Sequence, residues 1–580
     1  MYNKNLKSLE KVNKKLAHKV KNTSFEEAAK HVGAIKSEKS EYLLICDNNY
    51  VDDTPSPLEA AKSIYEEQIK SAQTMHDFIV IFGLGIGNLL DYVFNKSISN
   101  LIIYEPNLNI LRFVVEYVDL SKYFDSKRCF ITDNISDCAN YIEEKYLLED
   151  KLEFVYLKNY ATKHPSEFTL LTEKIYEACH RKIIDMNTIK VHAKTWVENT
   201  FHNIKHLPQQ YPLSILENIC KGKTALILGA GPSLKDNIES IKKNRNKFVI
   251  FTVHRTLETL RQNDIVPDFC IVVDTMWTAD SFTKDMEYVK KIKFITDIKT
   301  DNFINTLPIE TRFTYFSKTN TYAKELSTKM MGDLPLYETG GTSTICAYHC
   351  AFVMGFKNII FAGIDLAFKD DVAYCDGKIA VANNQHSAKI SGIVRETTKI
   401  KSVTGEYVDT REDYATFAKQ FEILFAKDTK SNIFNLTTFG AYIKGMKYIS
   451  LENILEQNNL SEENIDNIIQ EKIQNSQKLQ LKIQQKTQEI LLNEKNKIIP
   501  ILKEIDEWYE MYINHPSYFD YATKIITKIT SSMILQEYIQ IELLRFTKLV
   551  LSKDDGIKKA FLEELFMHIR NYAKNLYNLI

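Results

Sequence analysis

Short apolar runs alternate with amphipathic stretches over the first part of the chain. The runs YLLICD, DFIVIF, NLIIYEPN, RCFITDN and LEFVYLKNY each have the length of one strand, and helical stretches separate them. Strands that alternate with helices are typical of βαβ units and predict a parallel sheet. Residues 1–165 are therefore predicted to form an α/β domain.

The same alternation returns in the middle of the chain. Its candidate strands are TALILGA, KFVIFTV, FCIVVD, KFITDI, RFTYF, NIIFAGID and IFNLT, with helical stretches between most of them. This pattern predicts a second α/β domain over residues 216–449. Residues 166–215 show helical periodicity up to Pro208 and Pro212, which predicts a helical connector.

Residues 450–580 have a different pattern. Segments such as NILEQNNLSEENIDNIIQEKIQ and AFLEELFMHIRNYAKNLYNLI carry apolar residues at helical spacing. The spacing predicts a C-terminal α-helical domain. No catalytic motif stands out in this block, so we expect it to serve packing or partner binding.

Charge and cysteine usage narrow the class of protein. The 580 residues include 74 Lys and Arg against 75 Asp and Glu, a formal charge of −1, which gives no reason to expect a nucleic-acid partner. We expect no membrane span, since no run reaches about 18 apolar residues, and no secretory signal. The nine cysteines form no CxxC pair, which favours buried thiols in a reducing cytoplasm over a zinc site.

The first block contains a glycine turn, FGLGIGNLL at residues 82–90, directly after a candidate strand. Glu105 ends the next strand, twenty residues beyond Gly85. This is the layout of Rossmann-like sites for dinucleotides or S-adenosylmethionine, in which the acid bonds a ribose. The GxGxG spacing favours S-adenosylmethionine. The alternative is a Rossmann-like domain that kept the turn and lost its ligand.

The second block contains the turn ALILGAGPSLKDN at residues 225–237. Gly229 and Gly231 permit a sharp turn after the strand, and Pro232 suits the first position of the helix that follows. Ser233 adds a hydroxyl and the helix N-terminus adds N–H groups, which together predict an anion-binding site. The alternative is a plain strand-to-helix turn.

Other polar residues of the second block fall at equivalent positions. The segment TGGTS at residues 339–343 opens a predicted helix that stops at Gly355, while Asp274 and Asp365 end candidate strands. Ligands of open α/β sheets lie beyond the carboxyl ends of the strands, so these residues are expected to converge on one cleft. The predicted ligand-binding residues are Gly229, Gly231, Pro232, Ser233, Asp274, Thr339, Gly340, Gly341, Thr342, Ser343 and Asp365.

Several of these segments together resemble a known family. GAGPSL, the VD strand end, the TGG helix with GFKNIIFAGIDLAF, and FNLTTFGAYIKG resemble the motility accessory factor (Maf) family of the DUF115 type. Its members are flagellin glycosyltransferases. The resemblance is strongest in the central block and covers all three blocks in order. It implies a Rossmann-like N-terminal domain, a central Rossmann-like glycosyltransferase domain of a GT-A-variant type, and a C-terminal helical domain.

The central block is also similar to bacterial sialyltransferases of glycosyltransferase family 42. Those enzymes have a GNGPSL turn, and Ala230 stands where they have asparagine. The resemblance implies a CMP-activated nonulosonic acid donor, such as pseudaminic or legionaminic acid. It implies transfer to Ser or Thr of flagellin, in support of flagellar assembly and motility, without a metal or other cofactor. Asp370 and Asp371 form a bare pair and not a DxD motif.

Transfer from a CMP-sugar needs a supported phosphate and a base for the acceptor hydroxyl. Tyr374 is predicted to support the departing phosphate, with a half-buried loop tyrosine as the alternative. His386, in NNQHSAK, is the first candidate base, because the sialyltransferases carry their catalytic histidine after the same strand in a His-Ser-Lys context. His254 is the second candidate base, and Arg255 beside it is placed to face the donor.

Three rival functions stay open at this stage. DUF115 proteins also resemble an archaeal 6-hydroxymethylpterin diphosphokinase, for which Asp274 and Asp365 would hold Mg²⁺; the length and three-block layout argue against it. The second rival is a flagellin-binding assembly factor with a relic nucleotide cleft, favoured by the large helical block. The third is a methyltransferase activity of the first block.

Overall fold

The structure is a computed structural model. It describes residues 1–37, 39–53, 56–71, 77–147, 150–275, 282–317, 326–329, 336–337, 341–370, 372–377, 397–458, 464–532, 535–536, 539, 542–543, 546 and 555–579. The chain divides into two compact units, Met1–Lys190 and Val191–Ile580.

The first unit begins with three helices and a small antiparallel sheet. These elements are α1 (Tyr2–Val12), α2 (Lys14–Asn22), α3 (Phe25–His31), β1 (Val32–Lys36), β2 (Tyr42–Cys46) and β3 (Asn49–Tyr50). The run YLLICD forms β2, which pairs antiparallel with β1 and β3. The prediction that it belongs to the parallel sheet is wrong, because its connections to β1 and β3 are too short for a parallel crossover.

A four-stranded parallel sheet follows in the first unit. Its strands are β4 (Phe78–Phe82), β5 (Asn100–Tyr104), β6 (Cys129–Thr132) and β7 (Leu152–Tyr156), in the order β6-β5-β4-β7. All of β4 is buried, as a continuous apolar run predicts. The strand order reverses between β4 and β7, which makes this a Rossmann-like sheet with its switch point beside the glycine turn.

Within the described residues, seven helices accompany that sheet. They are α4 (Pro57–Gln68), α5 (Asn88–Lys96), α6 (Leu108–Tyr117), α7 (Ser121–Phe124), α8 (Ile135–Lys145), α9 (Lys158–Lys163) and α10 (Pro165–Ile204). Helix α10 covers most of the predicted connector and runs past residue 190 into the second unit. The predicted domain boundaries themselves stay predictions.

The second unit contains a ten-stranded sheet. Its strands are β8 (Tyr211–Pro212), β9 (Thr224–Leu228), β10 (Val249–Val253), β11 (Phe269–Val272), β12 (Lys293–Asp297), β13 (Arg312–Ser317), β14 (Leu336–Tyr337), β15 (Asn358–Ala362), β18 (Asn432–Asn435) and β19 (Lys447–Tyr448). The order is β14-β13-β12-β11-β10-β9-β15-β18-β19, with β8 against β13, and every pairing is parallel. A separate hairpin joins β16 (Thr397–Lys401) to β17 (Tyr407–Arg411). The strand order reverses between β9 and β15, so the candidate ligand-binding residues that follow these two strands lie at the switch point of this Rossmann-like sheet.

Helices of the second unit connect these strands. They are α11 (Leu234–Lys243), α12 (Leu257–Gln262), α13 (Met286–Lys290), α14 (Ser343–Met354) and α15 (Glu412–Lys427). Helix α14 ends at Gly355, whose φ of +85° confirms the predicted glycine stop. Pro232 lies two residues before α11, so its predicted place at the first helical position is wrong. Its neighbour Gly231 donates its N–H to Gly363 O at 2.8 Å, which keeps the chain beside β15 before the helix begins.

Among the described residues, the chain from Leu451 onward is helical, as predicted. Its helices are α16 (Leu451–Asn458), α17 (Asp466–Asn475), α18 (Gln477–Glu507), α19 (Tyr518–Ile529) and α20 (Asp555–Leu579), with a π-helical turn at Trp508–Tyr512. Trp508 is buried between α18 and α20, in a core shared with Phe201 of α10 and Phe566. The described part of the chain contains no helix both long and apolar enough to cross a bilayer.

Candidate functional site

The turns after β9 and β15 meet at a buried carboxylate. Asp365, only 1% exposed, accepts the backbone N–H of Ser233 at 2.9 Å and, through its other oxygen, the Ser233 hydroxyl. The side chain of Thr437 also bonds this carboxylate, and burial raises its pKa. The predicted neighbours Ser233 and Asp365 are thus brought together, but as partners of each other. A part for either of them in holding a ligand stays a prediction.

The glycines of this turn have a structural reason of their own. A Cβ on Gly229 would lie 2.5 Å from the carbonyl oxygen of Gly363, and one on Gly231 would lie 2.7 Å from the same oxygen. A Cβ on Gly231 would also collide with the Asp365 carboxylate. Any larger residue would therefore push the two strand-end turns apart.

The segment after β15 folds back across the glycine turn. The N–H of Cys375 donates to Ala230 O at 2.7 Å, which places Tyr374 over the end of β10. The Arg255 guanidinium lies 4.4 Å from the centroid of the Tyr374 ring, and the hydroxyl of Tyr414 donates to that of Tyr374 at 3.0 Å. This segment thereby brings Tyr374 to the part of the edge that carries His254.

His254 and Asp274 come from adjacent parallel strands. His254 directly follows β10 and Asp274 follows β11 by two residues, so their side chains meet at the carboxyl edge, with 3.4 Å between Nδ1 and Oδ2. The His254 side chain is 7% exposed and the Asp274 side chain 48% exposed. Burial lowers the pKa of His254, Asp274 opposes that shift, and Arg255 adds to it. The histidine is therefore held in its neutral form near pH 7, with a carboxylate beside one ring nitrogen.

The structure adds residues to this edge that the sequence analysis missed. Asp297 ends β12 in a buried position, and burial raises its pKa. Asn199 of α10 donates to Thr275 O at 2.8 Å and to Lys299 O at 3.2 Å. Asn203, one turn later, donates to the carbonyls of residues 298 and 300 at 2.8 and 2.6 Å. These two amides hold the loops after β11 and β12, including the loop that carries Asp274.

The predicted TGGTS segment is described only in part. Thr342 caps α14 by accepting the N–H of Thr344 at 3.4 Å, and Ser343 is the first helical residue. The N–H of Gly341 donates to the Gln420 side chain at 3.2 Å. Since α14 leads from β14 into β15, its N-terminus lies at the carboxyl edge of the sheet. The predicted donor-binding residues Thr339 and Gly340 and the candidate base His386 lie outside the described residues.

The glycine turn of the first unit is closed by its own acids. Glu105 is fully buried and accepts the N–H of Leu84 at 3.0 Å, the N–H of Asn107 at 2.9 Å and the hydroxyl of Tyr160 at 2.7 Å. Both oxygens that were expected to bond a ribose are therefore committed within the protein. Burial raises the pKa of Glu105 to about 7.

A second acid, which the sequence analysis missed, completes this closure. Asp52 accepts the N–H of Leu44 at 2.7 Å and that of Ile86, within the turn, at 3.2 Å. A Cβ on Gly85 would collide with Asp52, and one on Gly83 would lie 2.6 Å from the Tyr160 ring. Burial raises the pKa of Asp52 to about 7. The carboxylates of Glu105 and Asp52 thus occupy backbone N–H groups of the turn that a phosphate would need.

The chemistry available at the second unit's edge is that of a base and an anion receptor. A neutral histidine beside a carboxylate can take a proton, and a guanidinium can hold a phosphate or carboxylate. Within the described part of the chain, no group of three or more His, Cys, Asp or Glu side chains is placed to hold a metal ion.

Comparisons with known proteins agree with this architecture. Residues 198–371 match the family described as 6-hydroxymethylpterin diphosphokinase MptE-like. A functionally unassigned protein of Treponema pallidum (strain Nichols) is 32% identical over 93 residues, which are 16% of this chain and 43% of that protein's length. The solved Maf glycosyltransferase of Magnetospirillum magneticum AMB-1 matches 100% of this chain and 94% of its own, with a TM-score of 0.64 and 14% identity. The chain therefore has the fold of this solved glycosyltransferase, which is the fold that its resemblance to the motility accessory factor family predicts.

Proposed function

We propose that this protein is a glycosyltransferase that moves a nonulosonic acid, pseudaminic or legionaminic acid, from its CMP-activated form to Ser or Thr of flagellin. The observation that carries the proposal is the pair His254 and Asp274 at the switch-point edge of the central sheet. The fold match to a glycosyltransferase and the sequence resemblance to flagellin glycosyltransferases support it. The reaction is proposed to take place in the cytoplasm and to serve flagellar assembly and motility.

In the proposed reaction the acceptor hydroxyl oxygen attacks the anomeric carbon of the donor. The bond from that carbon to the phosphate oxygen breaks, and CMP leaves with the bonding electron pair. The hydroxyl proton passes to Nε2 of His254, whose Nδ1 faces Asp274 across 3.4 Å. A buried neutral imidazole accepts the proton, and the carboxylate stabilises the imidazolium that forms.

A second candidate function follows from the family that matches residues 198–371, which is named for a 6-hydroxymethylpterin diphosphokinase. That reaction needs ATP and carboxylates that hold Mg²⁺. Asp365 commits its two oxygens to Ser233, which leaves Asp274 as the partly exposed carboxylate of the predicted pair. The geometry therefore favours sugar transfer, for which the resemblance implies no metal.

The decisive experiment is the intact mass of purified flagellin after incubation with the full-length protein and EDTA. CMP-pseudaminic acid and CMP-legionaminic acid are supplied separately, and we expect mass increments of one or more nonulosonic acid residues with one of them. His254→Ala is expected to lower the rate by about 100- to 10,000-fold, because it removes the base. Asp274→Asn is expected to move the acid limb of the pH–rate profile to lower pH, because Asp274 raises the pKa of His254.

Each contrary result has a distinct meaning. Full activity of His254→Ala, with loss of activity in His386→Ala, would keep the transferase and reassign the base. A magnesium-dependent pyrophosphoryl transfer to a pterin, without sugar transfer, would replace the proposal by the second candidate. Binding of flagellin without any mass increment from either donor would favour a non-catalytic assembly factor.

A further inference from the structure

Arg255 differs in its partners from three other arginines of the second unit, Arg245, Arg261 and Arg411. Arg245 pairs with Asp268 at 3.0 Å, Arg261 with Glu258 at 2.7 Å and Arg411 with Asp413 at 2.6 Å. Arg255 makes no ion pair or hydrogen bond with any residue that the structure describes, and its guanidinium packs against the ring of Tyr374. The guanidinium of Arg255 is half-buried and its N–H groups are available to an anion.

A ladder of aromatic and cationic groups holds Arg255 in place. Its guanidinium lies 4.4 Å from the Tyr374 ring centroid, and Tyr374 accepts a hydrogen bond from buried Tyr414. Arg411 lies 4.3 Å from the Tyr414 ring centroid and is clamped by both oxygens of Asp413, at 2.9 and 2.6 Å. Asp413 fixes Arg411 at one end of this series of contacts. At the other end, stacking on the Tyr374 ring holds the Arg255 guanidinium in place before a ligand binds, while its N–H groups bond no described residue.

The position of Arg255 points the same way. It follows His254 directly, at the end of β10, and the segment that carries Tyr374 crosses the glycine turn beside it. An anion held by Arg255 would therefore lie at the same strand end as the proposed base. The planar fork of a guanidinium matches the two oxygens of a carboxylate or a phosphate.

We propose that Arg255, stacked on Tyr374, is the receptor for an oxyanion of the donor: the phosphate of the nucleotide or the carboxylate of the sugar. The inference rests on the proposed function and deepens it by assigning one contact. Tyr374 and Tyr414 act as positioning residues in this contact.

The test is calorimetric titration of the full-length protein with three probes: CMP, CMP-pseudaminic acid and inorganic pyrophosphate. Arg255→Gln is expected to weaken binding by about 10- to 100-fold, the loss of one charge-assisted contact. Arg261→Gln removes the same charge from a surface pair on α12 and is expected to change binding by less than about 3-fold. Arg255→Lys keeps the charge without the fork and is expected to lie between the wild type and Arg255→Gln.

The probes separate the two sources of the oxyanion. Equal weakening of CMP and CMP-pseudaminic acid assigns Arg255 to the phosphate, and weakening of the sugar nucleotide alone assigns it to the carboxylate. Wild-type affinity of Arg255→Gln for all three probes overturns the proposal. Arg255-dependent binding of pyrophosphate without binding of either CMP compound would sink the proposed function and leave the receptor standing. Binding of none of the three by the wild type overturns both.

The stack itself has a separate readout. Tyr374→Phe keeps the ring under the guanidinium and is expected to leave Kd within about 3-fold, while Tyr374→Leu weakens binding by about 3- to 30-fold. A hydroxyl that also supports the leaving phosphate would make Tyr374→Phe lose kcat at unchanged Kd. Equal affinities of the Phe and Leu variants would contradict the positioning role.

Discussion

The two units each place a glycine turn at the switch point of a parallel sheet, and both turns are closed from within. In the first unit Asp52 and Glu105 accept backbone N–H groups of the turn, and in the second unit Asp365 accepts the N–H and the hydroxyl of Ser233. The neighbouring strand ends differ. The second unit has half-exposed Asp274 beside His254, whereas the acids at the first turn are buried. A glycine turn therefore marks backbone crowding, and the adjacent strand ends indicate where chemistry is possible.

The largest expected effect breaks the closure of the second turn. Asp365→Ala leaves the N–H and hydroxyl of Ser233 buried without their acceptor, and we expect a loss of about 3 kcal/mol in the free energy of unfolding. The measurement is hydrogen exchange of the full-length protein, read on the peptides of β9 and β15. Asp236→Ala, which removes an exposed acid paired with Lys369, is the control, with an expected loss below about 1 kcal/mol. Equal protection in the two variants would show that the closure contributes nothing.

The second effect uses pH to compare the turns. Burial raises the pKa of Glu105 to about 7, so the folded first unit binds a proton that the unfolded chain releases above about pH 4. Its stability is therefore greatest at low pH and falls as pH rises, by about 2 kcal/mol for this group between pH 5 and 7. Asp52, with a pKa raised to about 7, acts in the same direction.

Hydrogen exchange of β4 and β5 peptides across that pH range checks this slope. Glu105→Gln should reduce this slope and leave the part that Asp52 contributes, while Glu66→Gln, which removes an exposed acid of α4, should leave the slope unchanged. A slope that is identical in the wild type and in Glu105→Gln would remove Glu105 as its cause.

The smallest expected effect is an absence of ligand binding at the first unit's turn, in contrast to the second unit. Equilibrium dialysis with S-adenosylmethionine or NAD should find no binding to the first unit's turn, because its donors already face carboxylates. The full-length protein is used, with CMP as the positive probe for the second unit. Binding of either compound that Glu105→Ala abolishes would reopen the methyltransferase or dinucleotide reading.

Buried strands were predictable from the sequence because their apolar runs are continuous. TALIL, VIFTV and NIIFA form β9, β10 and β15 with every residue buried. The strands VGAIK and TTKIK were missed, since a half-exposed hairpin strand alternates with polar residues and carries a weaker signal. The helical nature of the C-terminal region followed from its period.

The sequence predicts the candidate site only where its residues directly follow recognisable strands. The rule that ligand-binding residues follow the carboxyl ends of strands predicts Asp274 and Asp365. It applies equally to Asp297 at the end of β12, which the sequence analysis did not consider. The pairing of His254 with Asp274 was out of reach, because it depends on β10 lying beside β11. Asp52 gave no signal at all, since it lies 34 residues before its partner in the turn.

Asn199 and Asn203 give the strand-end loops an unusual mechanical property. Four hydrogen bonds run from two amides, one helical turn apart, to the loops after β11 and β12. The backbone N–H of Asp301 also donates to Asp274 O at 3.0 Å, which ties the two loops together. The four amide bonds therefore hold both loops to one face of one helix. Because Asn199 bonds a carbonyl of each loop and Asp301 ties the two loops together, we expect Asn199→Ala to loosen both loops, including the one that carries Asp274.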